Sequence, residues 1–243
     1  ILLGDNVYNF GEPQEYDARQ DPTISPEAVA WAAQHIDYFS VGNHDGSGIR
    51  WVNSSANYSV PVPEAGVTSP SAPSLWPQET AYSFDYGDAH FLTFNSNYYV
   101  RPEVLQEQMQ WALDDLRASD ARWKIVFAHH PVSGAPDKDH DPQDDYFRQV
   151  VDMLNEAKVD LLLTGHSHVY STTYPMLGEV EGQVVFVPDG DRHYDKGSGV
   201  VQVISGAGGK SLRPGTFTEF AFTASGYTTQ TERRLEYGYA KVE

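Results

Sequence analysis

Short apolar runs that each end in a polar segment are the feature that most constrains the fold of this chain. Four such segments lie far apart: Gly4-Asp5-Asn6-Val7-Tyr8, Gly42-Asn43-His44-Asp45, His129-His130-Pro131 and Gly165-His166-Ser167-His168. The apolar runs before them are typical of buried strands. In open α/β sheets the loops that follow the strands converge at one edge, where ligands bind. We therefore expect the four segments to meet there.

Helical spacing separates several of these runs. Residues 102–119 place leucine, methionine and alanine side chains on one face, and the apolar run at residues 123–128 follows directly. Residues 147–154 repeat this spacing before the apolar run at residues 159–163. The pattern predicts two helices, each followed by a strand that carries one of the histidine segments.

The remaining sequence predicts further elements around this frame. Serine as N-cap and proline at the next position predict a helix over residues 25–35, followed by a strand over residues 37–41. Five prolines among small residues predict a long surface loop over residues 60–80. Alternation on both sides of a glycine predicts a hairpin over residues 81–94, and the part from residue 184 on is β-rich.

Length and composition set limits on the kind of protein. A chain of 243 residues with 40% hydrophobic content predicts one large domain, residues 1–243, with a sizeable core. The net charge of −18, with only 16 lysines and arginines along the chain, disfavours nucleic acid as a partner. No run approaches the roughly 20 apolar residues of a membrane span. The absence of cysteine excludes disulfides and thiolate metal sites.

The first residues of the chain are typical of the interior of a domain. Ile1-Leu2-Leu3 runs directly into Gly4-Asp5, as a buried strand runs into its following loop. We therefore expect any targeting signal to lie upstream of Ile1.

The four polar segments offer ligands that hard metal ions prefer. Carboxylate, amide and imidazole groups brought together from several loops suit a pair of divalent or trivalent ions. Asp5 alone is also compatible with a common turn, Tyr8 equally with packing, and one of His166 and His168 with a polar core position. The ordered set nevertheless predicts a two-metal phosphoesterase site, for which no protein nucleophile is required.

These segments, their order and the hairpin between the second and third resemble the calcineurin-like metallophosphoesterase family. Gly4-Asp5 followed by Tyr8, and then Gly42-Asn43-His44-Asp45, are similar to the purple, tartrate-resistant acid phosphatase branch. The resemblance implies an α/β fold, a four-layer α/β/β/α sandwich over nearly the whole chain. It also implies that an N-terminal strand and the first metal motif, Asp-x-His or Gly-Asp-x-Gly, lie upstream, so that the domain is truncated at its N-terminus.

The resemblance implies a ligand set for two metal ions. Asp5 would bridge both ions with its two carboxylate oxygens. His168 and Tyr8 would join it on the first ion, where a phenolate favours ferric iron. The second ion would take three further ligands: Asn43, His129 and His166. The cofactors implied are two metal ions, iron with zinc, manganese or a second iron.

Three further residues take catalytic roles by the same resemblance. His44 would protonate the leaving oxygen, Asp45 would orient its ring, and His130 would lie near the substrate phosphate. Two short look-alikes of the absent motif, Asp88-Ala89-His90 and Asp191-Arg192-His193, are weaker candidates for a substitute ligand.

The leading interpretation is an acid phosphatase-like enzyme that hydrolyses phosphate monoesters with a metal-activated hydroxide. Its partner would be a small phosphate-ester substrate, and the resemblance favours a secreted or periplasmic location. A phosphodiesterase or nucleotidase on the same metal site is one alternative. A catalytically degenerate, metal-poor binding module is the other.

Overall fold

A central mixed sheet with two helices beside it forms the frame of the computed structural model. The structure describes residues 1–6, 26, 30, 38–48, 67–68, 80–97, 101–132, 145–180, 183–187, 193–208, 211–212, 230–234 and 236–241. The strands in chain order are β1 (Leu2–Leu3), β2 (Phe39–Ser40), β3 (Val67–Thr68), β4 (Tyr82–Tyr86), β5 (Ala89–Thr93), β6 (Trp123–Ala128), β7 (Leu161–Thr164), β8 (Tyr170–Thr173), β9 (Met176–Val180), β10 (Gln183–Phe186), β11 (Val201–Ser205) and β12 (Gln230–Arg234). The helices are α1 (Pro102–Ala118) and α2 (Asp145–Glu156), and a 3₁₀ helix spans Asn43–Gly48.

Eight of these strands form one sheet in the order β12-β8-β11-β7-β6-β5-β4-β3. Its central strands β5, β6, β7 and β11 run parallel, and antiparallel strands flank them on both sides. The carboxyl ends of the parallel strands therefore lie at one edge of the sheet. The segments that follow β6 and β7 begin at this edge.

Helix α1 connects β5 to β6, and α2 connects β6 to β7. Proline opens α1, where its missing amide hydrogen costs nothing because the first turn has no intrahelical acceptor. Leu105, Met109 and Leu116 of α1 pack into one buried cluster with Val126 and Leu162 of the sheet. The two helices and their following strands confirm the predicted βαβ frame, although the strand expected at residues 159–163 is observed at Leu161–Thr164.

The opposite face of the sheet packs against the short parallel pair β1 and β2. Alternate residues of β6 point to opposite faces of the sheet. Ile125 and Phe127 pack with Phe39 and Leu163 in a second buried cluster, on the face opposite to the helices. The hydroxyl of Tyr82 lies 2.8 Å from both the backbone nitrogen and the carbonyl oxygen of Phe39, which fixes β2 against the sheet. This packing holds the loops after β1 and β2 beside those after β6 and β7.

The described elements form helix, sheet and strand-pair layers, as expected of an α/β sandwich. Of the helix predicted over residues 25–35, only Pro26 and Ala30 are described, and both are helical. The hairpin of β4 and β5 is confirmed, with a two-residue turn in which Gly87 has a φ of 63°. β3 lies inside the segment predicted as a loop. The sequence does not reveal it, because a strand at the sheet edge is held by backbone hydrogen bonds and needs little apolar pattern.

The rest of the predicted loop at residues 60–80, apart from Thr80, lies outside the described residues. Residues 220–222, within the part predicted to be β-rich, also lie outside them. The single domain over residues 1–243 stays a prediction. Among the described helices, none is long and apolar enough to cross a bilayer.

Candidate metal centre

Side chains from all four polar segments lie near one edge of the sheet, and four of them meet at one place. Asp5 follows β1, Asn43 follows β2, and His129 and His166 follow β6 and β7. The amide of His44 donates to Asp5 Oδ1 over 2.9 Å, and the amide of Gly165 donates to the His129 carbonyl over 3.0 Å. Backbone hydrogen bonds therefore join the loops in pairs, and the sheet fixes their origins.

Two glycines permit this close packing of loops. A Cβ on Gly4 would lie 2.4 Å from Nδ1 of His129. The φ of Gly4 is 84°, a backbone conformation that residues with a side chain rarely adopt. A Cβ on Gly42 would lie 2.1 Å from the backbone nitrogen of Asp5. The glycines that open the first two segments are thus required by the approach of their neighbours.

Three ligand atoms surround Nε2 of His129, and we call the four atoms together the donor cluster: Asp5 Oδ1, Asn43 Oδ1, His129 Nε2 and His166 Nδ1. His129 Nε2 lies 3.3 Å from the Asp5 oxygen, 3.1 Å from the Asn43 oxygen and 3.2 Å from the His166 nitrogen. The Asn43 oxygen lies 3.1 Å from His166 Nδ1. The left-handed backbone of Asp5 and His166, with φ of 51° and 61°, turns both residues into the cluster.

The spacing of the donor cluster fits a metal ion. Ligands held about 2.0–2.2 Å from one ion, in tetrahedral to octahedral geometry, lie roughly 2.8–3.6 Å from one another. The four measured separations fall within this interval. Oxygen and imidazole ligands also match the preference of zinc, iron and manganese.

The hydrogen bond of His129 orients its ring for metal binding. Its Nδ1 donates to the carbonyl of Leu3 over 2.7 Å, so the neutral ring presents a lone pair on Nε2. Asp5 and Asn43 also direct oxygen lone pairs to this point. Such lone pairs repel one another unless a cation or a proton lies between them, which makes the cluster a good fit for a cation.

Asp5 carries its negative charge over the whole neutral and mildly acidic range. Burial alone would raise the pKa of Asp5, but without metal the hydrogen bond and charge of a protonated His129, together with the amide of His44, lower it to about 2. A buried carboxylate that stays ionised provides the charge that a metal ion neutralises.

The ligands expected for a first metal ion are only partly described. His168 is buried, and its Nδ1 donates to the Ser211 carbonyl over 2.7 Å, which leaves a lone pair on Nε2 as in His129. Tyr8 lies outside the described residues. The ligand roles of His168 and Tyr8 therefore stay predictions.

His44 and Asp45 lie on the 3₁₀ helix that follows β2. Asp45 is fully buried and accepts hydrogen bonds from the amides of Gly42 and Asn6 and from the side chain of Asn6. Burial raises its pKa to about 6, and the nearby Asp5 charge adds to this, against the lowering effect of the Gly42 amide. These contacts tie the first loop to the second, whereas the predicted role of Asp45 in orienting His44 stays a prediction.

His130 lies beside the donor cluster, with its ring centroid 4.5 Å from that of His166. Its Nδ1 lies 2.9 Å from Oγ of Ser96, a residue outside every motif of the sequence. The neighbouring Asn97 donates to the carbonyl of Val41 over 2.9 Å. The available signal was the polar run Asn95-Ser96-Asn97 directly after β5, at the same sheet edge as the histidines.

Neither look-alike of the absent motif belongs to the donor cluster among the described residues. His90 is the second residue of β5, at the end of the strand away from the metal-binding edge, and its ring nitrogens contact Asp85 and Asp115 at 2.7 and 2.9 Å. Asp191 and Arg192 are outside the described residues, and His193 is exposed.

Comparison with known proteins finds a matching family and several relatives. The family model for calcineurin-like phosphoesterases matches residues 1–170. Acid phosphatase type 7 of Homo sapiens is 26% identical, over 100% of this chain and 54% of the relative. Purple acid phosphatase 17 of Arabidopsis thaliana is 25% identical, over 69% of this chain and 52% of the relative. The chain thus spans about half the length of these curated relatives.

A solved structure shares the fold. The purple acid phosphatase PPD1 from yellow lupin (Lupinus luteus) seeds superposes with a TM-score of 0.54 at 21% identity, over 82% of this chain and 32% of that chain. The likeness shows that the sheet and its helices have the fold of an established α/β sandwich.

Proposed function

This chain belongs to the calcineurin-like phosphoesterase family of phosphoric ester hydrolases, and we infer that it hydrolyses phosphate monoesters at a two-metal site. The substrate would be a small phosphate ester, as the similarity to acid phosphatases suggests. The observation that carries the proposal is the donor cluster, in which ligand atoms of Asp5, Asn43 and His166, from three other loops, lie 3.1–3.3 Å from Nε2 of His129.

Within this proposal, Asp5, Asn43, His129 and His166 hold the second metal ion. Asp5 would also bind the first ion, together with His168 and Tyr8. We propose iron at the first position and zinc, manganese or iron at the second, since a phenolate suits a hard ferric ion. Hydrogen bonds from His129 to Leu3 and from His168 to Ser211 support this assignment, because both rings are fixed with Nε2 available.

Bound metal ions of this kind activate water as a nucleophile and offset the charge of the phosphoryl oxygens. The protein groups then supply positioning and proton transfer. His44 would protonate the leaving ester oxygen, because it directly follows the ligand Asn43 and its amide is fixed on Asp5. His130 would donate a hydrogen bond to the phosphate. Asp45 would hold the loop that carries His44 against Asn6.

The proposal is tested with the metal-loaded chain on two synthetic substrates, p-nitrophenyl phosphate and bis(p-nitrophenyl) phosphate. We expect metal-dependent hydrolysis of the monoester and little of the diester. Faster hydrolysis of the diester would replace the proposal with the phosphodiesterase alternative. No metal binding and no hydrolysis of either ester would support the metal-poor binding-module alternative, and stoichiometric metal without hydrolysis of either ester would contradict the proposed activity.

A secreted or periplasmic location stays a prediction from the same similarity. The relevant experiment is fractionation of the source cells followed by detection of this chain with an antibody. Recovery from the cytoplasmic fraction alone would contradict it.

A further inference from the structure

His130 differs from its neighbours in the group that holds its ring. His129 and His168 direct Nδ1 to backbone carbonyls, whereas Nδ1 of His130 lies 2.9 Å from the hydroxyl oxygen of Ser96. Ser96 is fully buried and His130 nearly so. A carbonyl can only accept a hydrogen bond, but a hydroxyl can accept and donate, so the proton position on His130 depends on the other contacts of Ser96.

A second contact of Ser96 determines where its hydroxyl hydrogen points. The backbone amide of His130 donates to the same Oγ over 3.0 Å. The hydroxyl hydrogen then needs an acceptor, and among the described residues Nδ1 of His130 is the partner in position. If Nδ1 carried the hydrogen instead, Ser96 would accept twice and its own hydrogen would be buried without an acceptor, which is costly.

We propose that Ser96 is a positioning residue that holds His130 in the tautomer with hydrogen on Nε2, so that His130 donates to a phosphate oxygen and does not bind metal. A ring nitrogen that carries a hydrogen has no free lone pair for a metal ion. The part of this inference that concerns phosphate rests on the proposed function.

The position of His130 explains why its tautomer has to be fixed. One ligand nitrogen from each of His129, His130 and His166 lies within 4.8 Å of the others, so His130 is close enough to compete as a ligand. The loop that carries Ser96 is held at both ends, since the Asn95 amide donates to Gln108 and Asn97 donates to the Val41 carbonyl, each over 2.9 Å. Ser96 is therefore fixed well enough to select one tautomer.

The tautomer is measured by nitrogen NMR of the full chain labelled with ¹⁵N-histidine at neutral pH, with the His130 signals assigned from a His130→Gln sample. We expect hydrogen on Nε2 and a lone pair on Nδ1 in the unmodified chain. A ring that carries hydrogen on Nδ1, whether neutral or charged, would overturn the proposal. This spectrum decides the question even if variants fold poorly.

Variants of Ser96 test the role toward phosphate. Ser96→Ala should lose the single tautomer and weaken binding of inorganic phosphate to the metal-loaded chain about tenfold, the size of one hydrogen bond to a charged group. Ser96→Thr, which keeps the hydroxyl, should restore both. Ser171→Ala is the matched control, because Ser171 is buried and its hydroxyl has no hydrogen-bond partner among the described residues.

The results also separate this inference from the proposed function. Unchanged phosphate binding in Ser96→Ala would overturn the donor role even in a chain that hydrolyses monoesters. Conversely, the expected tautomer in a metal-loaded chain that hydrolyses no ester would contradict the proposed function and leave the tautomer assignment intact.

Discussion

The Nδ1–H of His129 donates a hydrogen bond to the carbonyl oxygen of Leu3 over 2.7 Å, which joins the end of β6 to β1. This bond places Nε2 of His129 between Asp5, Asn43 and His166. The backbone of the short β1–β2 pair thus orients a ligand that belongs to the central sheet. The geometry of the donor cluster therefore depends on both layers.

His166→Ala is expected to remove the second metal ion and lower monoester hydrolysis by more than about 100-fold, since loss of outer groups around a metal alone costs 10–100-fold. Folding should change little, because the side chain is only partly buried. Elemental analysis and steady-state kinetics measure both effects, with the exposed His193→Ala as the control. Full activity in His166→Ala would contradict the ligand assignment.

Variants of Asn43 test whether the second metal ion needs an oxygen ligand at this position. Asn43→Ala should lose the second ion because the amide oxygen beside His129 and His166 is removed. Asn43→Asp should retain it, since a carboxylate supplies an oxygen at the same place together with a negative charge. Metal titrations of the two variants give the comparison, and unchanged metal binding in Asn43→Ala would show that the amide oxygen is not a ligand.

His44→Asn is expected to keep both metal ions and slow the release of poor leaving groups. General acid catalysis typically contributes about 10²–10⁴-fold. The rate should therefore fall strongly for an alkyl phosphate and only slightly for p-nitrophenyl phosphate, whose leaving group needs little protonation. An equal fall for both substrates would argue against His44 as the general acid.

Gly42→Ala should destabilise the chain by about 1–3 kcal/mol, the usual cost of inserting a methyl group into a packed site. The new Cβ would lie 2.1 Å from the Asp5 nitrogen and 2.3 Å from its Oδ1, so metal affinity should fall as well. Gly238→Ala, where no atom lies within 4 Å of the added Cβ, is the control. Urea unfolding of the two variants measures the difference. Equal stability would mean that the two loops do not pack this closely.

His90 predicts a pH dependence of stability that does not involve the metal centre. Burial disfavours its charged form, but hydrogen bonds to Asp115 and Asp85 outweigh this and raise the pKa of His90. Because the folded pKa exceeds the unfolded value of about 6.5, this contribution is fully present below that value and is lost as pH rises through the folded pKa.

The measurement is the free energy of unfolding as a function of pH for the unmodified chain and for Asp115→Asn. The variant should show a smaller fall in stability over this range, because the hydrogen bond from His90 to this carboxylate is lost. A profile that is identical in Asp115→Asn would contradict the assignment to His90.

Much of the frame was predictable because its signals are local. The spacing of α1 and α2, the apolar runs of β6 and β7 and the glycine turn between β4 and β5 each depend on residues close in sequence. The family resemblance carried by the four polar segments is confirmed, as is the α/β sandwich. By contrast, β3 was not predicted, since its two residues depend on pairing with β4 and not on their own pattern.

The sequence by itself determined the kinds of ligand available, the order of the polar segments and their place after strands, because residue chemistry and periodicity are local properties. Only the tertiary structure decided that Asp5, Asn43 and His166 surround Nε2 of His129, and that Ser96 and not a backbone carbonyl holds His130. These contacts join residues up to 124 positions apart, as in the pair of His129 and Asp5. They are set by strand order, loop packing and hydrogen-bond direction, which no single stretch of sequence contains.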